Sequence, residues 1–238
     1  MFRRVFLAAI LAGVAAGLFC SLIQHLRVTP YILAAETFEA ASPHHADAST
    51  GHAHGHGQGG ADDANAEPWT PADGYERLLY TVLANLVVST AFALALAGAS
   101  LLLGVPVTLA NGALWGLCGF VALSLAPSAG LPPELPGMAG ADLWSRQIWW
   151  WFTAAMTAGG LALAAKRSAA PYLALSALLI ALPHVIGAPN APEHESNVPA
   201  HLASGFASNA LATAAVLWVS LGLMLGFLNE RAAKGAAS

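Results

Sequence analysis

Charge is what this sequence has least of. Charged residues fill 9% of its 238 positions and apolar ones 57%, against roughly 25% charged in a soluble domain. So few ionic groups cannot cover a water-solvated surface, and the composition fits a surface that mostly faces lipid. The net charge is only −4, and no strongly basic face points to nucleic acid. Cysteine is almost absent. Cys20 and Cys118 both lie inside apolar runs and form no Cys-x-x-Cys pair, which argues against thiolate metal chemistry and for two small core residues. No Gly-x-x-x-x-Gly-Lys-Ser/Thr segment occurs, so the chain carries no P-loop for ATP.

Long apolar stretches are what the sequence has in plenty. A spanning helix needs about 20 mainly apolar residues. Six candidates stand near Val5–Leu26, Leu78–Leu103, Val107–Ala126, Ile148–Ala165, Pro171–Ile186 and Ser204–Leu228. The fifth is the weakest, being short and carrying Pro183 near its end. The first follows Arg3 and Arg4, exceeds the roughly 7–15 apolar residues of a signal peptide and ends in Gln24-His25-Leu26-Arg27. It reads as a retained helix. The expected fold is an all-α polytopic membrane bundle of about six (five to six) spans, one membrane domain over 1–238. With the N-terminus inside, Arg3, Arg4, Lys166, Arg167, Arg231 and Lys234 are inner, and Arg27, Arg77 and Arg146 are outer. That asymmetry obeys the positive-inside rule and predicts a cytoplasmic N-terminus; the expected location is a bacterial-type inner membrane.

The outer segments then hold the chemistry. Residues 28–77 read as a largely disordered periplasmic loop, too rich in Gly, Ala, Ser and Asp to bury a core. It contains His44, His45, His52, His54 and His56. Imidazole nitrogens suit zinc, copper, iron and nickel, and by the same chemistry cobalt. His52, His54 and His56 alternate with small residues on a flexible chain and can wrap an ion. This spacing marks metal affinity and says nothing of which metal. The second outer loop, near Pro127–Gln147, holds Asp142 and Trp144. The third, near Gly187–Ala203, holds Glu193, His194, Glu195 and His201.

A second cluster is expected at the membrane's outer edge. His25 ends the first helix and is followed by Pro30, Glu36 and Glu39. His184 ends the fifth and is followed by Pro189, Glu193, His194 and Glu195. Both helices run outward, and ionisable groups at membrane depth are costly and usually functional. The expectation is that His25 and His184 face each other and share one ion. Polar stripes recur on the helices: Gly13, Gly17 and Ser21; Thr81, Asn85 and Ser89; Thr153 and Thr157; Ser204 and Ser208. Interhelical hydrogen bonding accounts for them more readily than a polar pathway does. Trp149, Trp150 and Trp151 read as an interfacial aromatic belt.

The residues Met1-Phe-Arg-Arg-Val-Phe through Gln24-His-Leu-Arg-Val-Thr-Pro to Ala35-Glu-Thr-Phe-Glu resemble the CbtA family of proposed cobalt transporter subunits. So do Leu182-Pro-His-Val-Ile-Gly-Ala-Pro and Val198-Pro-Ala-His-Leu-Ala-Ser-Gly-Phe-Ala. The resemblance implies a bacterial membrane protein that takes up cobalt for cobalamin synthesis. It also implies a small single-span, histidine-rich companion, CbtB, and about five spans. The His-x-x-x-x-Asp-His pattern of nickel–cobalt permeases is absent. The expected function is a transport subunit for a divalent metal ion, with no organic cofactor, the lipid bilayer as surroundings and no enzymatic activity. In this reading the loop histidines concentrate the ion, His25 and His184 with Glu36 or Glu193 admit it, and the Asn85 and Ser/Thr stripes pass it on. The alternative is a metal sensor or scaffold that delivers metal to a partner without conducting it. An intramembrane metal enzyme is the weakest reading, since a Pro-rich loop supports Glu193-His194-Glu195 poorly.

Overall fold

The computed structural model describes residues 2–40, 71–72, 74–191 and 198–235. Among them the chain is all-helical. The helices are α1 (Phe2–Arg27), α2 (Thr29–Ala40), α3 (Tyr75–Leu103), α4 (Leu109–Ser128), α5 (Leu143–Lys166), α6 (Ala170–Ile186) and α7 (Ala200–Lys234). Helix α4 is wound as a π turn over Val121–Leu125, where the backbone N–H of Ala126 donates to the Val121 carbonyl. Helices α1, α3, α4, α5 and α7 are each long and apolar enough to cross a membrane.

Helix α6 has 17 residues, about 25 Å at 1.5 Å per residue, a little less than a hydrocarbon core of about 30 Å. Its direction decides its role. Gly112 and Gly116 of α4 meet Gly222 and Trp218 of α7, and Gly226 meets Thr108, so α4 and α7 are antiparallel. Just past the end of α4, Gly130 lies against Trp149 near the start of α5. Helices α5 and α7 therefore begin at the same end of the bundle. The chain must return between them, and α6 makes that return, antiparallel to α5 with Ser176 and Ile180 against Gly160. Six traverses put both described termini, Phe2 and Gly235, at one end, here the lower end.

Apolar burial does not draw helices together in lipid; close packing and hydrogen bonds do. Helix α1 packs most extensively on α3 and α7, and α4 on α7. A Cβ on Gly112 or Gly222 would run into the other's carbonyl, and one on Gly116 into that of Trp218. Trp218 is buried, stacks on Phe92 with ring centroids 4.5 Å apart, and donates from Nε1 to Ser124 Oγ of the π turn at 3.1 Å. Gly13 and Gly17 bring α1 against Thr90 and Ser89. There Ser89 Oγ donates to the Gly13 carbonyl at 2.8 Å, and Asn85 Nδ2 donates to Ser21 Oγ at 3.0 Å and Gln24 Oε1 at 2.7 Å. The stripes on α1 and α3 thus satisfy each other. The α5–α6 hairpin stands apart and joins the rest chiefly through α4.

Two stretches read as loop are helical. The segment 28–77, expected to be largely disordered, opens with α2. Pro30 falls in its first turn, where a missing N–H costs nothing. Ala35 is buried against Leu135 and Val198, with Tyr31, Ile32, Leu202 and Phe206 around them. Helix α5 starts at Leu143 rather than Ile148, because Asp142 caps it by accepting from Ser145 N at 2.9 Å. Bonds from the backbone and side chain of Ser145 hold the Asp142 carboxyl below the usual carboxylate range. Arg146 of the same first turn pairs with Glu134 at 2.9 Å and ties down the preceding loop.

Candidate metal-binding site

The upper end of the bundle gathers the imidazoles. His25 lies near the end of α1, His184 near the end of α6 and His201 in the first turn of α7, and all three are exposed. The chain also leaves α2, enters α3, and links α6 to α7 at this end, so every other histidine is attached there through the sequence. Six basic residues, Arg3, Arg4, Lys166, Arg167, Arg231 and Lys234, belong to the lower end, and Arg27, Arg77 and Arg146 to the upper. His44, His45, His52, His54, His56, Glu193 and His194 fall outside the described residues.

The described residues do not assemble the expected shared site. No group of three or more His, Cys, Asp or Glu among them could hold a metal ion. His25 and His184 stand on α1 and α6, which have no extensive common interface; α6 docks on α5. The His184 ring lies edge-on to Trp149, with centroids 6.0 Å apart and planes at 71°. Glu36 is held by Arg77, whose Nη1 donates to Oε1 at 2.8 Å and Oε2 at 3.1 Å. What the upper end offers in this state is single imidazoles on separate helices.

Trp149 also departs from the belt reading. It is 6% exposed and packs against Gly130, whereas Trp151 is 66% exposed. Trp149 Nε1, Thr153 Oγ1 and Thr157 Oγ1 are buried with no hydrogen-bond partner in the protein. Elsewhere the helix hydroxyls of Ser21, Thr81, Ser89, Ser176, Ser208 and Thr213 donate to the carbonyl four residues back. A buried polar group left without a partner costs about 1–3 kcal/mol. Above them a crevice of roughly 460 Å³ opens between α5 and the end of α6, lined by Ser145, Ile148, Trp149, Phe152, Ala188 and Pro189.

The family described as "Probable cobalt transporter subunit (CbtA)" matches residues 2–230, nearly the whole chain. The chain belongs to the CbtA family. No curated protein and no solved structure matches it. The span matched to CbtA takes in all the bundle's crossings and all the candidate ligands, both the described His25, Glu36, His184 and His201 and the loop residues beyond them.

Proposed function

We propose that this CbtA protein is the membrane subunit of a divalent metal-ion transporter that takes up cobalt across a bacterial inner membrane for cobalamin synthesis. The observation that carries the reading is the polarity of the bundle. Every histidine attaches to one end, and two thirds of the basic residues to the other. By the positive-inside rule the histidine end is periplasmic and both termini are cytoplasmic. His44, His45, His52, His54 and His56, with Glu193 and His194, would raise the local concentration of the ion. His25, His184 and His201 would receive it, and Glu36 would join them only once released from Arg77. A mixed nitrogen and oxygen shell ranks copper, and often nickel, above cobalt. Selectivity therefore rests on geometry, supply or a partner, for which the small single-span companion CbtB is the candidate.

The second reading is a sensor or scaffold that hands metal to a partner. It is favoured by the mutual satisfaction of Ser21, Gln24, Asn85 and Ser89, which closes the seam between α1 and α3 as a path. Accumulation of radioactive cobalt by liposomes holding the purified protein, with and without the companion, separates the two. Uptake in either preparation supports transport. Binding without accumulation in both supports the scaffold.

A further inference from the structure

Six basic residues mark the lower end of the bundle, and four of them stand on two adjoining helices. Arg3 and Arg4 lie in the first turn of α1, and Arg231 and Lys234 in the last turn of α7. Helices α1 and α7 run in opposite directions and pack together. Val5 and Leu228 rest on one buried cluster with Ala8, Ala9 and Leu225. The start of α1 and the end of α7 therefore leave that cluster side by side, and the four cations crown one seam.

Nothing in the protein neutralises them. All four are exposed, and none has an ion pair or a side-chain hydrogen bond among the described residues. Glu230 is the single acid among the described residues at this end. It is turned to α4, where its Oε1 accepts from Leu109 N at 2.9 Å. Asn229 beside it donates to the Val107 carbonyl at 3.1 Å. With these two residues facing α4, Arg231 falls on the other side of α7. The first turn of α1 holds no acid, and a helix N-terminus itself carries a partial positive charge. Arg3 and Arg4 thus stand where their own helix disfavours them. Like charges gathered in this way repel, and an anion from outside the protein relieves the repulsion.

The positive-inside rule asks for cations on the cytoplasmic side; it does not ask for four on one seam. The neighbouring surface identifies the anion. Leu223, Phe227 and Arg231 follow at four-residue intervals along an exposed side of α7, with the Arg231 guanidinium 4.9 Å from the Phe227 ring centroid. Arg3, Leu7 and Leu11 make a similar exposed row on α1. Each row is apolar within the span and cationic at its lower edge. A phospholipid has the complementary profile, with acyl chains for the apolar part and a phosphate for the guanidinium. A free phosphate ion would use the cations and leave the apolar rows without a role. Two phosphates on one headgroup engage both pairs of cations with a single loss of freedom.

We propose that Arg3, Arg4, Arg231 and Lys234 bind the headgroup of an anionic phospholipid at the lower rim of the α1–α7 seam, with preference for one carrying two phosphates, such as cardiolipin. Clustered basic residues at a cytoplasmic membrane face recognise such headgroups. The orientation proposed above assigns the site to the cytoplasmic leaflet; the site itself does not depend on metal transport.

The test uses the full-length protein, stripped of lipid in an uncharged detergent. Cardiolipin, phosphatidylglycerol and phosphatidylcholine are titrated in turn, and bound lipid is counted by native mass spectrometry. The protein should hold cardiolipin most tightly and phosphatidylcholine least. Arg4→Gln combined with Arg231→Gln should weaken cardiolipin binding at least about tenfold. Lys166→Gln combined with Arg167→Gln removes the same charge from the same end, but on the α5–α6 hairpin, and should leave binding within about twofold of the unaltered protein. All four side chains are exposed, so neither pair disturbs the packing. Equal losses in the two pairs would reduce the effect to the overall charge of this end and overturn the site. Cardiolipin held no better than phosphatidylcholine would overturn it as well. Phosphatidylglycerol held as tightly as cardiolipin would overturn the preference for two phosphates. Displacement of cardiolipin by an equal concentration of inorganic phosphate would overturn the lipid in favour of the free ion.

Discussion

Arg77 of α3 grips Glu36 of α2 through both carboxylate oxygens, at 2.8 and 3.1 Å. Glu36 is the candidate carboxylate ligand whose side chain is described, and one side of its carboxylate is engaged by the guanidinium. A metal ion reaching Glu36 must compete with that positive charge.

Replacing Arg77 should therefore expose a ligand rather than break the fold. The two side chains are 31% and 34% exposed, and pairs this wet contribute at most about 1 kcal/mol. Arg77→Met should shift thermal stability only slightly and tighten cobalt binding in detergent, read by titration calorimetry. Glu36→Gln alone should leave that affinity nearly unchanged. If Arg77→Met binds no more tightly, Glu36 is a structural residue and belongs on no list of ligands.

The α4–α7 contact depends on missing side chains. Gly116→Ala and Gly222→Ala each place a methyl group against a partner's main-chain carbonyl, where backbone must shift. Each should cost about 1–3 kcal/mol, seen as a lower midpoint in denaturant unfolding from mixed micelles. Gly98→Ala, with nothing near its would-be Cβ, should be neutral or stabilising by up to about 1 kcal/mol through helix propensity. Equal effects at all three positions would mean that α4 and α7 do not approach in this way.

The sequence makes the helices plain because each is a run of apolar residues, and runs are local. The short α6 could be doubted on length and Pro183, and only the directions of α5 and α7 require it to cross. Helix α2 shows Tyr31, Ile32, Ala35 and Phe38 at helical spacing, yet Pro30 and the acids after it resemble an exit from the membrane. The candidate site was less legible because pairing is non-local. His25 and His184 sit in matching local contexts, Gln24-His25 and Pro183-His184 before acids, but α1 docks on α3 and α7 while α6 docks on α5. Likewise Asn85 and Thr153 look alike as polar residues on apolar helices. Pattern alone cannot tell that Asn85 has partners and Thr153 has none.

Deleting residues 42–58 removes His44, His45, His52, His54 and His56 without touching a described helix. A loop that works by local concentration is replaceable by bulk ion. Cobalt uptake should fall when metal is scarce and recover almost fully when it is abundant. Complete loss at every concentration, with the protein inserted, would make the loop part of the conducting machinery.

His25 and His184 allow the sharpest test, because one site and two sites predict different arithmetic. If each is a separate imidazole station, His25→Ala and His184→Ala should both slow uptake at all metal concentrations, unlike the loop deletion. The double variant should then show the product of the two losses, since sites more than about 7–10 Å apart with no shared partner act additively in free energy. If instead the two rings close on one ion, removing either destroys the site and the double variant is little worse than a single one. The docking of α6 on α5, and the edge contact of His184 with Trp149, favour the product. A flat double variant would show that α1 and α6 come together during transport in a way this state does not display. Normal uptake in both folded single variants would remove both histidines from the path.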